Sequence, residues 1–190
     1  NISELRELSF YLLSNVAKLY SINALKKLHL GAYDTLKKYV EFFKESYLLF
    51  ELNKYDSSVK KQLVNQKKMY CIDSGFANAV AFRFSQDQGR LIENIVFLEL
   101  RRRGLDVFYH KDRKECDFVI KEGLSITTVI QVSVSLQDES TKGREIEGVL
   151  DACKYHNLEK GFILTQDEED SFTQEGIEIV VLPVWKWLLE

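Results

Sequence analysis

Two carboxylates and two polar side chains in the second half of the sequence are the residues whose types and order could do chemistry. Glu93 lies in a stretch with helical apolar spacing, and Asp117 lies in an apolar run that predicts a strand. Gln131 and Ser133 belong to the next such run, and because side chains alternate along a strand they are predicted to share one face. Carboxylates are preferred ligands of Mg²⁺, and a bound Mg²⁺ activates water for attack on phosphate. All four are candidate catalytic residues, and Glu93 and Asp117 are candidate metal ligands.

The same four positions depart from that chemistry in two places. A site of this kind needs a second carboxylate followed two residues later by a lysine, but Gln131 and Ser133 occupy these positions. A neutral amide oxygen binds Mg²⁺ more weakly than a carboxylate, and a hydroxyl cannot replace an ammonium beside a phosphate. Losing one such stabilising group costs about 2.7–4 kcal/mol in the transition state. Lys142 or Arg144, on the following predicted helix, could supply a migrated cation.

The apolar spacing of the second half predicts the elements that would position these residues. It predicts a helix over 89–103, a meander of three strands over 107–109, 116–120 and 126–136, and a helix over 141–155. Two further strands over 161–165 and 177–181 and a short helix over 184–189 follow. Three meandering strands crossed over by a helix to a further strand form the core of restriction-endonuclease-like nucleases. The predicted class is therefore α+β, with a mixed sheet flanked by helices.

The first half predicts a different unit. Helical spacing indicates three helices between residues 5 and 45, with Ser21 as the N-cap of the second, and apolar runs at 47–52 and 67–72 indicate a two-stranded ribbon. This is the order of a winged helix-turn-helix, which places its third helix in the DNA major groove. We therefore predict a front unit over residues 1–80 and a back unit over 81–190. The candidate DNA-binding residues are Tyr33, Lys37 and Lys38 on the third helix and Lys60, Lys61, Lys67 and Lys68 on or near the wing.

Charge is divided unevenly between the halves. The net charge of −3 combines +4 over residues 1–88, with 13 basic and 9 acidic side chains, and −7 over residues 89–190, with 13 basic and 20 acidic ones. This asymmetry predicts units with different partners: double-stranded DNA for the front unit and a protein for the back unit.

Several features limit the function classes further. The sequence holds no GxxxxGK[ST] phosphate loop and no apolar run of membrane-spanning length. Its three cysteines are widely separated and form no CxxC motif, which predicts reduced thiols and a cytoplasmic protein without membrane contact.

Taken together in their order and spacing, several short motifs resemble one family over nearly the whole chain. They are KMYCIDSG at 68–75, GRLIEN at 89–94, EL at 99–100, ECDFVI at 115–120, IQV at 130–132 and RE at 144–145. The sequence resembles the C-terminal part of a family of archaeal and bacterial AAA-type P-loop ATPases: a winged helix followed by an uncharacterised domain likened to PD-(D/E)xK nucleases. The resemblance implies an ATPase domain upstream of Asn1 as a partner. ATP would bind only there, and Mg²⁺ would bind in these residues only if the nuclease is active.

Three functions are open at this point. The chain could be a binding and regulatory module of the ATPase that recognises DNA or a protein partner, an active Mg²⁺-dependent DNA nuclease, or a pure protein-interaction module. Gln131 and Ser133 favour a binding module over an enzyme.

Overall fold

Up to residue 80, the front part of the chain forms five helices and a small three-stranded sheet, with the fourth helix between the second and third strands. The computed structural model describes residues 2–80 and 88–190. Up to residue 80 its elements are α1 Ile2–Ser14, β1 Leu19–Tyr20, α2 Ile22–Lys26, α3 Tyr33–Glu45, β2 Leu49–Asn53, α4 Val59–Val64, β3 Lys67–Cys71 and α5 Ser74–Val80. Ser21 caps α2 by accepting a hydrogen bond from the Ala24 N–H, as predicted.

The predicted two-stranded ribbon is present. β2 and β3 are antiparallel, with Phe50 opposite Tyr70, and β1 adds a short third strand on the other side of β3. The pattern did not predict α4 as a helix, because none of its residues is buried and it has no apolar face directed at the core.

The back part is built on a six-stranded mixed sheet. Its elements are α6 Gln88–Arg102, β4 Asp106–Lys111, β5 Glu115–Glu122, β6 Ser125–Val132, α7 Glu139–His156, β7 Lys160–Thr165, β8 Asp170–Gln174, β9 Ile177–Pro183 and α8 Val184–Leu188. The strand order is β4-β5-β6-β7-β9-β8. β4, β5 and β6 form an antiparallel meander, and α7 crosses over to β7, which is parallel to β6. The predicted α+β class, with a mixed sheet flanked by helices, is confirmed.

Two details differ from the prediction. β6 ends at Val132 rather than near residue 136, because the Leu136 N–H and the Ser135 hydroxyl turn away to the carboxylate of Glu168. β8 was not predicted, because it is an edge strand in which only Phe172 is even half-buried, so it shows no apolar alternation.

The helix α7 packs closely against the sheet at Gly148. Gly148 lies over β5, where a Cβ would stand 2.5 Å from the Glu115 carbonyl oxygen. A side chain at this position would push the helix away, so this glycine allows α7 to lie directly over the second strand of the meander.

One hydrophobic core crosses from the front part to the back part. It includes Leu8 and Tyr70 from the front and Phe97, Phe118 and Trp187 from the back. The rings of Tyr70 and Phe97 are stacked, with centroids 4.1 Å apart. The front and back parts therefore pack against each other through buried side chains. No helix in the described parts of the chain is both long enough and apolar enough to cross a membrane.

Candidate functional site

The four residues proposed for chemistry lie around one cavity of about 740 Å³ in the back part. The cavity is formed where α6, β5, β6 and α7 converge. Glu93 comes from α6, Asp117 from β5, and Gln131 from β6, while Ser133 directly follows that strand. The structure thus brings the four side chains together, although their catalytic role stays a prediction.

The position of Glu93 depends on its buried neighbour Asn94. The Asn94 side chain accepts a hydrogen bond from the Cys71 N–H at 2.9 Å and donates one to the Cys71 carbonyl at 3.1 Å. These two bonds fix α6 against the end of β3. Glu93, one residue earlier, is thereby directed at the side chains that β3 projects toward the sheet.

Lys68 is the residue that the sequence interpretation placed wrongly. It was predicted to contact phosphates from the wing, but its side chain is only 3% exposed and lies beneath α6. Strand alternation places Lys67 and Lys68 on opposite faces of β3: Lys67 is 24% exposed, whereas Lys68 shares with Tyr70 the face that meets Glu93 of α6. A lysine at the start of the apolar run 68–72 was the signal that could have indicated burial.

The Lys68 ammonium bridges three carboxylates. Its Nζ lies 2.7 Å from Asp117 Oδ1, 3.1 Å from Glu93 Oε1 and 3.1 Å from Glu115 Oε1. The Tyr70 hydroxyl also donates to Glu93 Oε1, at 2.7 Å. A cation from the front part therefore neutralises carboxylates of the back part.

Burial and mutual charge shift the titration of these groups. Burial, reinforced by the negative charge of Asp117, raises the pKa of Glu93 from 4.5 to about 7. Burial alone would lower the pKa of Lys68, but Asp117 and Glu93 raise it well above its usual value. Burial would raise the pKa of Glu115, yet Lys68 and Lys111 lower it. Lys68 therefore stays charged in the interior.

The polar atoms of Gln131 and Ser133 are occupied by the protein itself. Gln131 Oε1 accepts a hydrogen bond from the Asp117 N–H at 3.0 Å, and its Nε2 donates to Glu145 Oε2 at 2.6 Å. Ser133 Oγ donates to the Ser135 carbonyl at 3.0 Å. Each of these polar atoms therefore already has a hydrogen-bond partner within the protein.

Of the two residues proposed as a migrated cation, only Arg144 lines the cavity. Its guanidinium is 2.5 Å from Glu145 Oε1. The Lys142 ammonium instead lies 5.8 Å from the centre of the Phe172 ring. The cation closest to the carboxylates is Lys68, which belongs to the other part of the chain.

The Mg²⁺ that a nuclease-like fold implies does not fit this arrangement. Glu93 Oε1 and Asp117 Oδ1 both accept hydrogen bonds from Lys68, and Asp117 Oδ2 accepts one from the Val132 N–H at 3.1 Å. Within residues 2–80 and 88–190, no group of three or more His, Cys, Asp or Glu side chains is arranged to hold a metal ion.

A second candidate site is a groove of about 400 Å³ between α3 and the segment from α4 to β3. Tyr33 and Lys37 line one wall, and Leu63, Val64 and Lys67 line the other. The remaining lysines predicted to bind DNA are exposed beside it on α3 and α4: Lys38, Lys60 and Lys61.

Acidic side chains in this groove are neutralised internally. Lys44 lies 3.0 Å from Glu41 and 2.7 Å from Glu51, and Lys67 lies 3.2 Å from Glu51. The Tyr20 hydroxyl also donates to Glu51. By contrast, no ion pair within the described residues involves the exposed lysines, which are Lys37, Lys38, Lys60 and Lys61. The rim of the groove is therefore positively charged.

Comparisons with known proteins assign both parts of the chain to families. Residues 1–87 match the model of a family described as Domain of unknown function (DUF8612), and residues 88–187 match that of Domain of unknown function (DUF4143).

An uncharacterised protein of Methanocaldococcus jannaschii is 35% identical over 209 residues, an alignment that covers 100% of this chain and 45% of that protein. An uncharacterised protein of Haemophilus influenzae is 27% identical over 157 residues, covering 82% of this chain and 37% of that protein. The chain thus spans less than half the length of either relative. Because the second family model matches more than half of its residues, the chain belongs to the DUF4143 family.

Proposed function

We propose that the chain is the C-terminal DNA-binding module of a AAA-type ATPase, in which the front part contacts double-stranded DNA and the back part is a scaffold rather than a nuclease. The observation that carries the proposal is the set of four exposed lysines on α3 and α4 without ion pairs: Lys37, Lys38, Lys60 and Lys61. Their ammonium groups need no rearrangement of internal pairs before they contact phosphates.

The position of these lysines suits contact with the DNA backbone more than base reading. In a winged helix-turn-helix the third helix enters the major groove, which would place the exposed face of α3 against DNA. That face also carries Asp34, which phosphates repel. Glu41, on the same helix, is already paired with Lys44. We therefore propose binding with low sequence preference.

The ATPase context and the cellular location belong to the same proposal. The resemblance of the motifs to AAA-type ATPases supports an ATP-binding module elsewhere in the protein. Both relatives are more than twice as long as the aligned chain, so they have room for one. The three cysteines are free and buried, which supports a reducing compartment such as the cytoplasm.

A salt-dependent titration of a fluorescent duplex tests the DNA proposal. We expect K37A/K38A and K60A/K61A each to weaken binding, and each to flatten the dependence of log K on log salt by about 2, since each removed phosphate contact contributes about 0.9. The control is K154A/K160A on α7 and β7, which makes the same change in net charge on the back part. Equal losses in all three variants, or no binding at low salt, would contradict the proposal.

The alternative of an active nuclease is tested with the same duplex. The wild-type protein is incubated with Mg²⁺ or Mn²⁺ beside a D117A variant. We expect no cleavage by either protein. If the wild-type protein cleaves the duplex and D117A does not, the back part is a nuclease and not a scaffold.

A second candidate function is docking of a protein segment on α4, namely another part of the same longer protein. Three apolar side chains of this helix favour it, since Val59, Leu63 and Val64 are 69%, 70% and 75% exposed. A photo-crosslinking residue at position 63 of the longer protein should capture peptides of the ATPase module. The control position is Leu124, which is 94% exposed in the back part. Equal capture from both positions would exclude specific docking.

A further inference from the structure

The Lys68 ammonium lies between the two carboxylates that were predicted to hold a metal ion. It contacts the carboxylates of Glu93 from α6 and Asp117 from β5, at 3.1 and 2.7 Å, and its side chain is 3% exposed. Mg²⁺ binds oxygen at about 2.0–2.1 Å. An ion held by the same two oxygens would lie against the ammonium, with both steric overlap and repulsion between like charges.

Oxygens next to this contact are also paired with groups of the protein. Asp117 Oδ2 is bonded to the Val132 N–H, and Gln131 Oε1 is bonded to the Asp117 N–H. Glu115 Oε1 is the third acceptor for Lys68, at 3.1 Å. These three oxygens are therefore already paired with protein donors.

We infer that Lys68 replaces the divalent cation of the nuclease-like site and is a resident, covalently attached counter-ion. Because it comes from β3, the same contact ties the front part to α6 and β5. One ammonium faces three carboxylates, so the cluster keeps an excess of negative charge. Removing the ammonium should convert the cluster into a site that accepts a divalent cation. This inference does not depend on DNA binding by the front part.

Mn²⁺ binding tests the inference without reference to any catalytic activity. Wild type, K68A and K68A/D117N are titrated with Mn²⁺ and followed by electron paramagnetic resonance of the free ion and by thermal unfolding. We expect K68A to bind Mn²⁺ at least about tenfold more tightly than wild type, a change of about 1.4 kcal/mol. Mn²⁺ should raise the unfolding temperature of K68A but not that of wild type or K68A/D117N.

Two results would overturn the inference. One is Mn²⁺ binding to the wild-type protein that D117N alone abolishes, because the ion and Lys68 would then coexist. The other is a K68A protein that folds and gains no Mn²⁺ site. If K68A does not fold in metal-free buffer, K68M, which keeps an apolar side chain of similar length, takes its place. The wild-type titration needs no variant that loses Lys68, so Mn²⁺ binding there would overturn the inference whether or not these variants fold.

Discussion

Two of the junctions between the front part of the chain and the back part use opposite chemistry. The ionic junction consists of Lys68 and Tyr70 of β3 with Glu93, Glu115 and Asp117, all linked by hydrogen bonds or ion pairs. It is buried and highly polar, and it depends on charges that compensate one another.

The aromatic junction lies near the same end of the ribbon, just beyond Asn53, the β2 residue that pairs with Lys67. Tyr55 packs edge-to-face on Phe108 and on His156, with ring centroids 5.7 and 5.0 Å away. The Tyr55 N–H donates to the Tyr109 carbonyl at 2.8 Å. The ring of His110 stands 5.2 Å from that of His156, whose Nε2 is buried without a hydrogen-bond partner.

Because one junction buries a carboxyl group and the other buries an imidazole, their contributions to stability change with pH in opposite directions. Glu93 binds its proton more tightly when folded, so its contribution to stability is full below pH 4.5 and is lost as the pH rises through about 7. Burial, with a further contribution from His110, lowers the pKa of His156 from 6.5 to about 4. Its contribution is therefore full above pH 6.5 and is lost as the pH falls toward 4. Between about pH 4.5 and about pH 6.5 the two contributions change in opposite directions and offset each other, so the best pH for the pair is weakly acidic rather than neutral.

The largest expected effect comes from breaking the ionic junction. K68A leaves buried carboxylates without a counter-ion, and such losses cost about 3–5 kcal/mol in the free energy of unfolding. Urea unfolding in chelator-treated buffer measures this loss. The adjacent K67A is the control, because Lys67 is 24% exposed and Lys44 still neutralises its partner Glu51 after the change, so we expect a smaller loss. Equal losses of unfolding free energy in K68A and K67A would show that the ionic junction contributes no more to stability than the Lys67 pair does.

The aromatic junction should be weaker, because Tyr55 is only half-buried. We expect Y55A to lower the free energy of unfolding by about 2 kcal/mol, less than the 3–5 kcal/mol of a fully buried aromatic ring. The matched variant is Y33A, whose ring is 44% exposed and should contribute within about 0.5 kcal/mol. A Y55A loss as large as that of K68A would reverse the order of the two junctions.

The pH response of the ionic junction is sharpened by E93Q, which keeps an acceptor for Lys68 but cannot ionise. Relative to wild type, E93Q should gain stability between about pH 5 and about pH 8 by at least about 1 kcal/mol, or about 2–4 °C in unfolding temperature. Thermal unfolding across this range measures the difference. Parallel profiles for the two proteins would mean that Glu93 titrates normally in the folded state.

The smallest expected effect is that of H156F at the aromatic junction. The phenylalanine ring cannot be protonated and has no unpaired nitrogen. The variant should therefore lose less stability than wild type as the pH falls from about 6.5 to about 4. Because His156 is half-buried, we expect the gain at the acidic end to stay below about 1 kcal/mol. The unfolding temperature of each protein above pH 7 is the internal reference. If H156F and wild type lose stability equally below pH 6.5, the neutral His156 imidazole is not favoured by burial.

Sequence patterns predicted most of the elements because the core-facing residues repeat clearly. The helices α3, α6 and α7 and the strands β4, β5 and β7 are at the expected places, to within a few residues. β8 and α4 were missed for one reason: each exposes most of its side chains, so neither shows the apolar periodicity on which the prediction depends.

The site was predicted only in part. Strand alternation and the order of the elements placed Glu93, Asp117, Gln131 and Ser133 near one another, and all four line the same cavity. The sequence could not show that Gln131 is bonded to Glu145, or that Arg144, not Lys142, lines the cavity. Those contacts depend on how α7 rotates over the sheet, which local patterns do not encode.

Local composition and spacing were enough to predict the class of the fold, the order of most of its elements and the uneven division of charge. Only the tertiary structure decided the role of Lys68, which lies 25 residues from Glu93 and 49 residues from Asp117. From the local sequence alone, a lysine in the predicted wing is expected to be exposed to solvent. Packing of β3 beneath α6 instead buries it, and a buried ammonium is stable only where carboxylates from other elements converge on it.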